Sequence, residues 1–160
     1  MKTIQITSSF QVYPSVDALP DDVQHLMQLA HQMRDKAYAP YSKFHVGTAI
    51  LMQNGAIVTG NNQENAAYPS GLCAERVAVF QAGSQHPDVP ILKMAICAGS
   101  LTSITDKPIP PCGACRQTIS EYESKQNNPI EIYFMGTEGE VYRSESLENL
   151  LPLSFDKNFL

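Results

Sequence analysis

The chain has 160 residues, of which 43% are hydrophobic and 17% charged, and a formal net charge of −5. That length suits one domain with a substantial core, no apolar run approaches the ~20 residues needed to cross a bilayer, and eleven basic side chains, scattered rather than clustered, leave no footprint for a phosphate backbone. A small, uncharged partner is favoured over nucleic acid or membrane. The first ten residues lack a basic start followed by a long apolar stretch, so the four cysteines are expected in a reducing cytosol.

Residues 3–13 alternate partly between apolar and polar, and the first fourteen residues read as an arm or edge strand ending near Pro14. Pro20-Asp21-Asp22 opens a helix whose apolar stripe is Val23, Leu26, Met27, Ala30, Met33 and Ala37. His25 and His31 sit on that helix outside any ligand pattern and are read as solvated. Pro40 stops the helix, and two runs, Val46 to Met52 and Ala56 to Thr59, flank Asn54-Gly55, the signal for a hairpin with a type I′ turn. Gly60 to Asn65 is polar and reads as a strand end and functional loop. A helix from Cys73, closed by Gly83, follows; then come an apolar strand at Ile91 to Ala98, a proline-restricted loop, and a helix from Gly113 to Ser124. Strands at Ile130 to Met135 and up to Arg143, and a short helix around Leu147 to Leu150, complete the chain. Strands alternate with helices, which predicts an α/β domain with a mixed sheet and helices on both faces.

Three cysteines and one glutamate carry the chemistry: Cys73-Ala74-Glu75 and Pro111-Cys112-Gly113-Ala114-Cys115. A lone Cys-x-x-Cys is as compatible with a redox pair or half of a structural zinc site, but a redox pair leaves Cys73 and Glu75 without a purpose. Cys97 lies in an apolar run and reads as a small core residue rather than a fourth ligand. Three thiolates leave one zinc position open to water, whose pKa the metal lowers, and a nearby carboxylate can move protons without being a ligand. The pattern matches the signature of zinc nucleobase deaminases. Both motifs fall at predicted helix starts, where the dipole favours thiolate. Cys73 and Glu75, two residues apart, converge only if Cys73 lies at the very end of its helix. Three thiolates also make the site negative, and Arg76 and Arg116, each directly following a motif, are candidates to donate to the sulfurs.

These runs closely resemble the small cytidine deaminases of pyrimidine salvage. The likeness continues through Tyr41-Ser42-Lys43-Phe44, Asn62-Gln63-Glu64-Asn65-Ala66-Ala67-Tyr68-Pro69 and Leu150-Leu151-Pro152-Leu153-Ser154-Phe155, covering roughly residues 20 to 156. It implies a three-layer α/β/α fold with a mixed five-stranded sheet, one zinc per subunit on Cys73, Cys112 and Cys115, and Glu75 as the proton shuttle. It further implies that Asn62 and Glu64 hold the ribose 3′-hydroxyl, that Phe44 and Ala74 line the nucleoside pocket, and that Arg76 tempers the thiolate charge. Ala66 and Tyr68 would reach a neighbouring site, and Phe155 would stack on the base from another subunit of a homotetramer. The implied reaction converts cytidine and 2′-deoxycytidine into uridine and 2′-deoxyuridine with release of ammonia.

Two features depart from the family: His45 stands where proline is common, and the N-terminal arm extends beyond the usual start. The rival readings are a same-fold deaminase of another cytosine nucleoside, as in the blasticidin type; an editor of bases within nucleic acid; and a non-catalytic zinc module, for which Glu75 would be dispensable.

Overall fold

The computed structural model describes all 160 residues. In chain order the elements are β1 (Gln11–Tyr13), α1 (Asp21–Arg34), β2 (Phe44–Met52), β3 (Ile57–Asn61), α2 (Ala74–Gln85), β4 (Ile91–Ser100), α3 (Gly113–Gln126), β5 (Glu131–Met135) and β6 (Val141–Ser144). They form one sheet in the order β1-β6-β5-β4-β2-β3. Only β4 and β5 run parallel, and the crossover between them carries α3, as a parallel connection requires. The sheet therefore has six strands, one more than expected. The sixth is β1, where the arm pairs Gln11 with Arg143 and Tyr13 with Val141. Arg143 donates to Gln11 Oε1 at 2.6 Å and to Glu131 Oε2 at 3.0 Å, fastening the arm to β6 and β5.

The alternation of side chains along each strand divides the core into two layers. Ile50, Met94, Ile96 and Ile132 point one way, against Ala78, Val79 and Ala82 of α2 and Ile119 of α3. Ala49, Ala95, Cys97 and Tyr133 point the other way, against Leu26, Met27 and Ala30 of α1. This is the expected α/β/α arrangement, and Cys97 is a core residue as read: it is fully buried, and its thiol donates to the Gly136 carbonyl. Both helix layers sit hard on the sheet. A Cβ at Gly47 would lie 1.9 Å from the Ala30 carbonyl oxygen on α1, and one at Gly60 would lie 2.6 Å from that of Ala74 on α2.

Several local expectations give way to packing. The β2–β3 turn is a three-residue loop, closed by the Met52 N–H to Ala56 C=O bond at 2.9 Å. Gly55 alone takes a positive φ, 82°, while Asn54 does not, so this is the bulged alternative to type I′. Gly83 does not end α2, which continues to Gln85. A Cβ there would lie 2.2 Å from the Tyr122 hydroxyl, so this glycine makes room for α3. The segment at Leu147–Asn149 is a single 3-10 turn rather than a helix. His25 and His31 are exposed as read, the latter lying 3.2 Å from Arg34 Nη1. His45 is half-buried, with Nδ1 3.3 Å from the Arg34 carbonyl on the α1 side, a structural position.

Candidate active site

The two helix starts that the cysteine motifs foreshadow meet on one side of the sheet. Cys73 is the cap residue of α2 and Cys112 that of α3, both with extended backbone (φ −71°, ψ 156° and φ −67°, ψ 168°). Leaving the helical spiral at the cap turns the sulfur in front of the first turn, and this is how Cys73 and Glu75 converge despite being two residues apart. Cys115 lies within the first turn of α3 and is buried. The Cys73 and Cys112 sulfurs are 3.7 Å apart, those of Cys112 and Cys115 are 3.4 Å apart, and all three lie within 4.8 Å of one another. Tetrahedral zinc with Zn–S bonds of ~2.3 Å sets its sulfurs about 3.8 Å apart, so the trio is positioned to hold one zinc ion.

The electrostatics agree. Hydrogen bonding from Cys115 holds the Cys73 thiol down at about 5, opposed by burial and aided by Cys112 and the Arg76 guanidinium. Cys115 is driven strongly upward, first by its pairing with Cys73 and then by burial and by the Glu75 charge. One thiolate forms readily among three crowded sulfurs, and further ionisation there calls for a cation.

Glu75 is 4% exposed, and its Oε2 is buried without a partner. Burial pushes its carboxyl up to about 7, and the negative charge at Cys73 adds to the rise. A desolvated, incompletely bonded carboxyl beside a metal-ligand trio is costly unless used, and such groups gather at catalytic sites. Arg76 donates to the Gly71 carbonyl at 3.3 Å, and its charge favours the Cys73 thiolate, the relation its sequence position suggested. Arg116 does otherwise: Nε donates to Pro111 O and Nη1 to Leu150 O, both at 2.7 Å. It braces the approach to α3 against the C-terminal segment instead of touching sulfur.

Beside Cys73 opens a cavity of about 410 Å³. Of the residues singled out from the sequence, Asn62, Glu64, Tyr68, Cys73 and Arg76 line it, while Phe44, Ala66, Ala74, Glu75, Cys112, Cys115 and Phe155 do not; Glu75 lies buried behind Cys73. Ala74 is fully buried under Gly60. Phe44 is half-buried at the start of β2. Phe155 is 58% exposed and stacks on Phe159, centroids 5.7 Å apart. Asn62 is largely committed to the backbone, accepting from the Val46 N–H at 2.8 Å and donating to the Phe44 carbonyl at 2.9 Å. Tyr41, Ser42 and Gln63 also line the cavity. Tyr41 and Ser42 lie directly after Pro40, in a short stretch that serves no core face, and Gln63 lies in the polar run Gly60 to Asn65.

The cytidine and deoxycytidylate deaminase zinc-binding region matches residues 20–128. The chain belongs to this zinc-dependent deaminase family. Cytidine deaminases of Halalkalibacterium halodurans and Sporosarcina psychrophila are 37% and 39% identical to it, over 84% and 87% of this chain and 94% and 95% of theirs. The crystal structure of cytidine deaminase from Burkholderia pseudomallei superposes with a TM-score of 0.73 at 35% identity, covering 86% of this chain and all of that one. The three sulfurs are positioned to bind the one zinc ion that this family's zinc-binding region calls for.

Proposed function

We propose that this chain, acting as one catalytic domain, hydrolyses the exocyclic C4–N bond of cytidine and 2′-deoxycytidine to give uridine or 2′-deoxyuridine and ammonia in pyrimidine salvage. The observation that carries the reading is a buried carboxyl with an unpartnered oxygen, Glu75, beside three converging sulfurs, one of which, that of Cys73, lies at the wall of the cavity. The relatives named above are cytidine deaminases. Zinc held by Cys73, Cys112 and Cys115 supplies Lewis acidity that activates water at neutral pH. Glu75 takes a proton from the attacking water and gives it to ring N3 as the C4 centre becomes tetrahedral, then carries the remaining proton of the new C4 hydroxyl to the amino group as the C4–N bond breaks. Water supplies the O4 of the product, and the nitrogen leaves as ammonia. Arg76 offsets the charge of the thiolates.

Glu64 serves as acceptor for the ribose 3′-hydroxyl, with Asn62 holding the Phe44–Val46 backbone beside it. A reader of the 3′-position admits ribo- and deoxyribonucleosides alike. Phe155 caps the base of a neighbouring subunit in a homotetramer. Support comes from its exposure, its absence from its own chain's cavity, and the exposure of Ala66 and of Tyr68, the latter lining the cavity. The thiolate set suits the reducing cytosol.

The direct test is loss of cytosine absorbance when the purified protein meets cytidine, 2′-deoxycytidine, cytosine or CMP, with zinc counted in the same sample. The two nucleosides are expected to react. Phe155→Ala is expected to raise KM for cytidine about tenfold, within the ~1–3 kcal/mol typical of base–aromatic stacking. Unchanged KM and turnover would remove the stacking role.

A further inference from the structure

We infer that Ser42 is a positioning residue that aims Glu64 at the sugar and so sets the selectivity of the site for a free 3′-hydroxyl. The inference rests on the sugar-reading role proposed above for Glu64.

The argument is a count of acceptor sites. An ionised carboxylate offers about four, two on each oxygen. Glu64 Oε2 takes the Tyr41 N–H at 2.9 Å and the Ser42 N–H at 3.2 Å, which fills it. Glu64 Oε1 takes the Ser42 hydroxyl. One acceptor site remains, on Oε1, and Glu64 lines the cavity next to Cys73. A group with a single open acceptor site reads a single hydroxyl donor. The direction of that site is set by whatever holds Oε1, and Ser42 holds it.

Ser42 is itself held. Its Oγ accepts the Phe44 N–H at 3.0 Å, and of the two acceptors open to its proton Glu64 Oε1 is much the nearer, the Phe44 carbonyl lying 3.5 Å away. Between the two, Lys43 takes a φ of 57°, a left-handed conformation that non-glycine residues adopt at a cost, and this bends the chain so that the Ser42 N–H and Oγ face one carboxylate. The Ser42 hydroxyl is also the foremost cause of the lowered Glu64 pKa, in keeping with an acceptor that stays ionised.

The test compares cytidine with 3′-deoxycytidine in the full-length zinc-loaded wild type and in Ser42→Ala, Ser42→Thr and Ser42→Cys. Wild type is expected to favour cytidine by roughly tenfold or more in kcat/KM, the effect of one hydrogen bond to a charged group. Ser42→Ala is expected to raise KM for cytidine by about that factor with kcat within about twofold, while KM for 3′-deoxycytidine barely moves, so that the preference collapses. Ser42→Thr, which keeps the hydroxyl, is expected to retain the preference. Ser42→Cys, a weaker donor, falls between and carries the test if alanine disturbs the turn. Equal losses on both substrates would mean a general structural role and overturn the assignment, as would a fully preserved preference in Ser42→Ala. Wild-type protein inert to cytidine would instead remove the deaminase reading on which the assignment stands.

Discussion

Glu75→Gln is expected to fold, to keep its zinc and to lose at least ~10²-fold in kcat, the lower end of what a positioned acid–base group contributes. Glutamine matches glutamate in shape, so the buried position between α2 and the sulfur trio stays filled. What vanishes is the ability to take a proton from water and return it to the base and the leaving group. Because the removed carboxyl is desolvated and has an unpartnered oxygen, its loss relieves burial cost, and the variant is expected to unfold at a temperature no lower than wild type. Lower activity with equal or higher thermal stability is the combination expected of a catalytic group. Ammonia release at the wild-type rate would refute the assigned role and favour a non-catalytic zinc module, for which Glu75 is dispensable.

Removing zinc with a chelator is expected to abolish turnover and to lower the unfolding temperature, with one equivalent of zinc restoring both. Cys73, Cys112 and Cys115 join the first turns of α2 and α3, elements separated in sequence by the whole of β4, so the ion would act as a cross-link at the heart of the site. A ligand present at a hundred times its Kd stabilises the native state by about 2.7 kcal/mol. For a chain of this size that corresponds to about 5–10 °C in Tm. Activity that survives removal of more than nine-tenths of the metal, measured by elemental analysis of the same sample, would exclude zinc chemistry.

Residues that must satisfy a local requirement were the legible ones. Pro20 with two acids behind it starts α1, the mostly apolar run makes β4, and Cys73, with Glu75 two residues on, ends up as a cap; α1 itself stops at Arg34, short of Pro40 and of the Ala37 assigned to its stripe, because the chain turns there to bring Tyr38 beside Gln63. The misreadings share a different cause. Asn54-Gly55 signals a two-residue turn, yet the register of β2 on β3 places three residues in the loop. Gly83 resembles a helix stop until Tyr122 arrives from α3. Arg116 stands next to a sulfur in sequence, but its guanidinium finds two carbonyls, one from a segment 34 residues away. In each case a partner distant along the chain outweighs the nearest neighbours.

The three converging sulfurs, the carboxyl beside them and the alternation of strands and helices followed from the order of amino acids, because ligand chemistry and backbone periodicity are properties of short stretches. The sixth strand, the cavity and the grip of Ser42 on Glu64 arose only in three dimensions. They depend on backbone groups and side chains twenty to more than a hundred residues apart that meet when the two helix layers close on the sheet, and no short stretch encodes which of its hydrogen-bonding groups a remote one will claim.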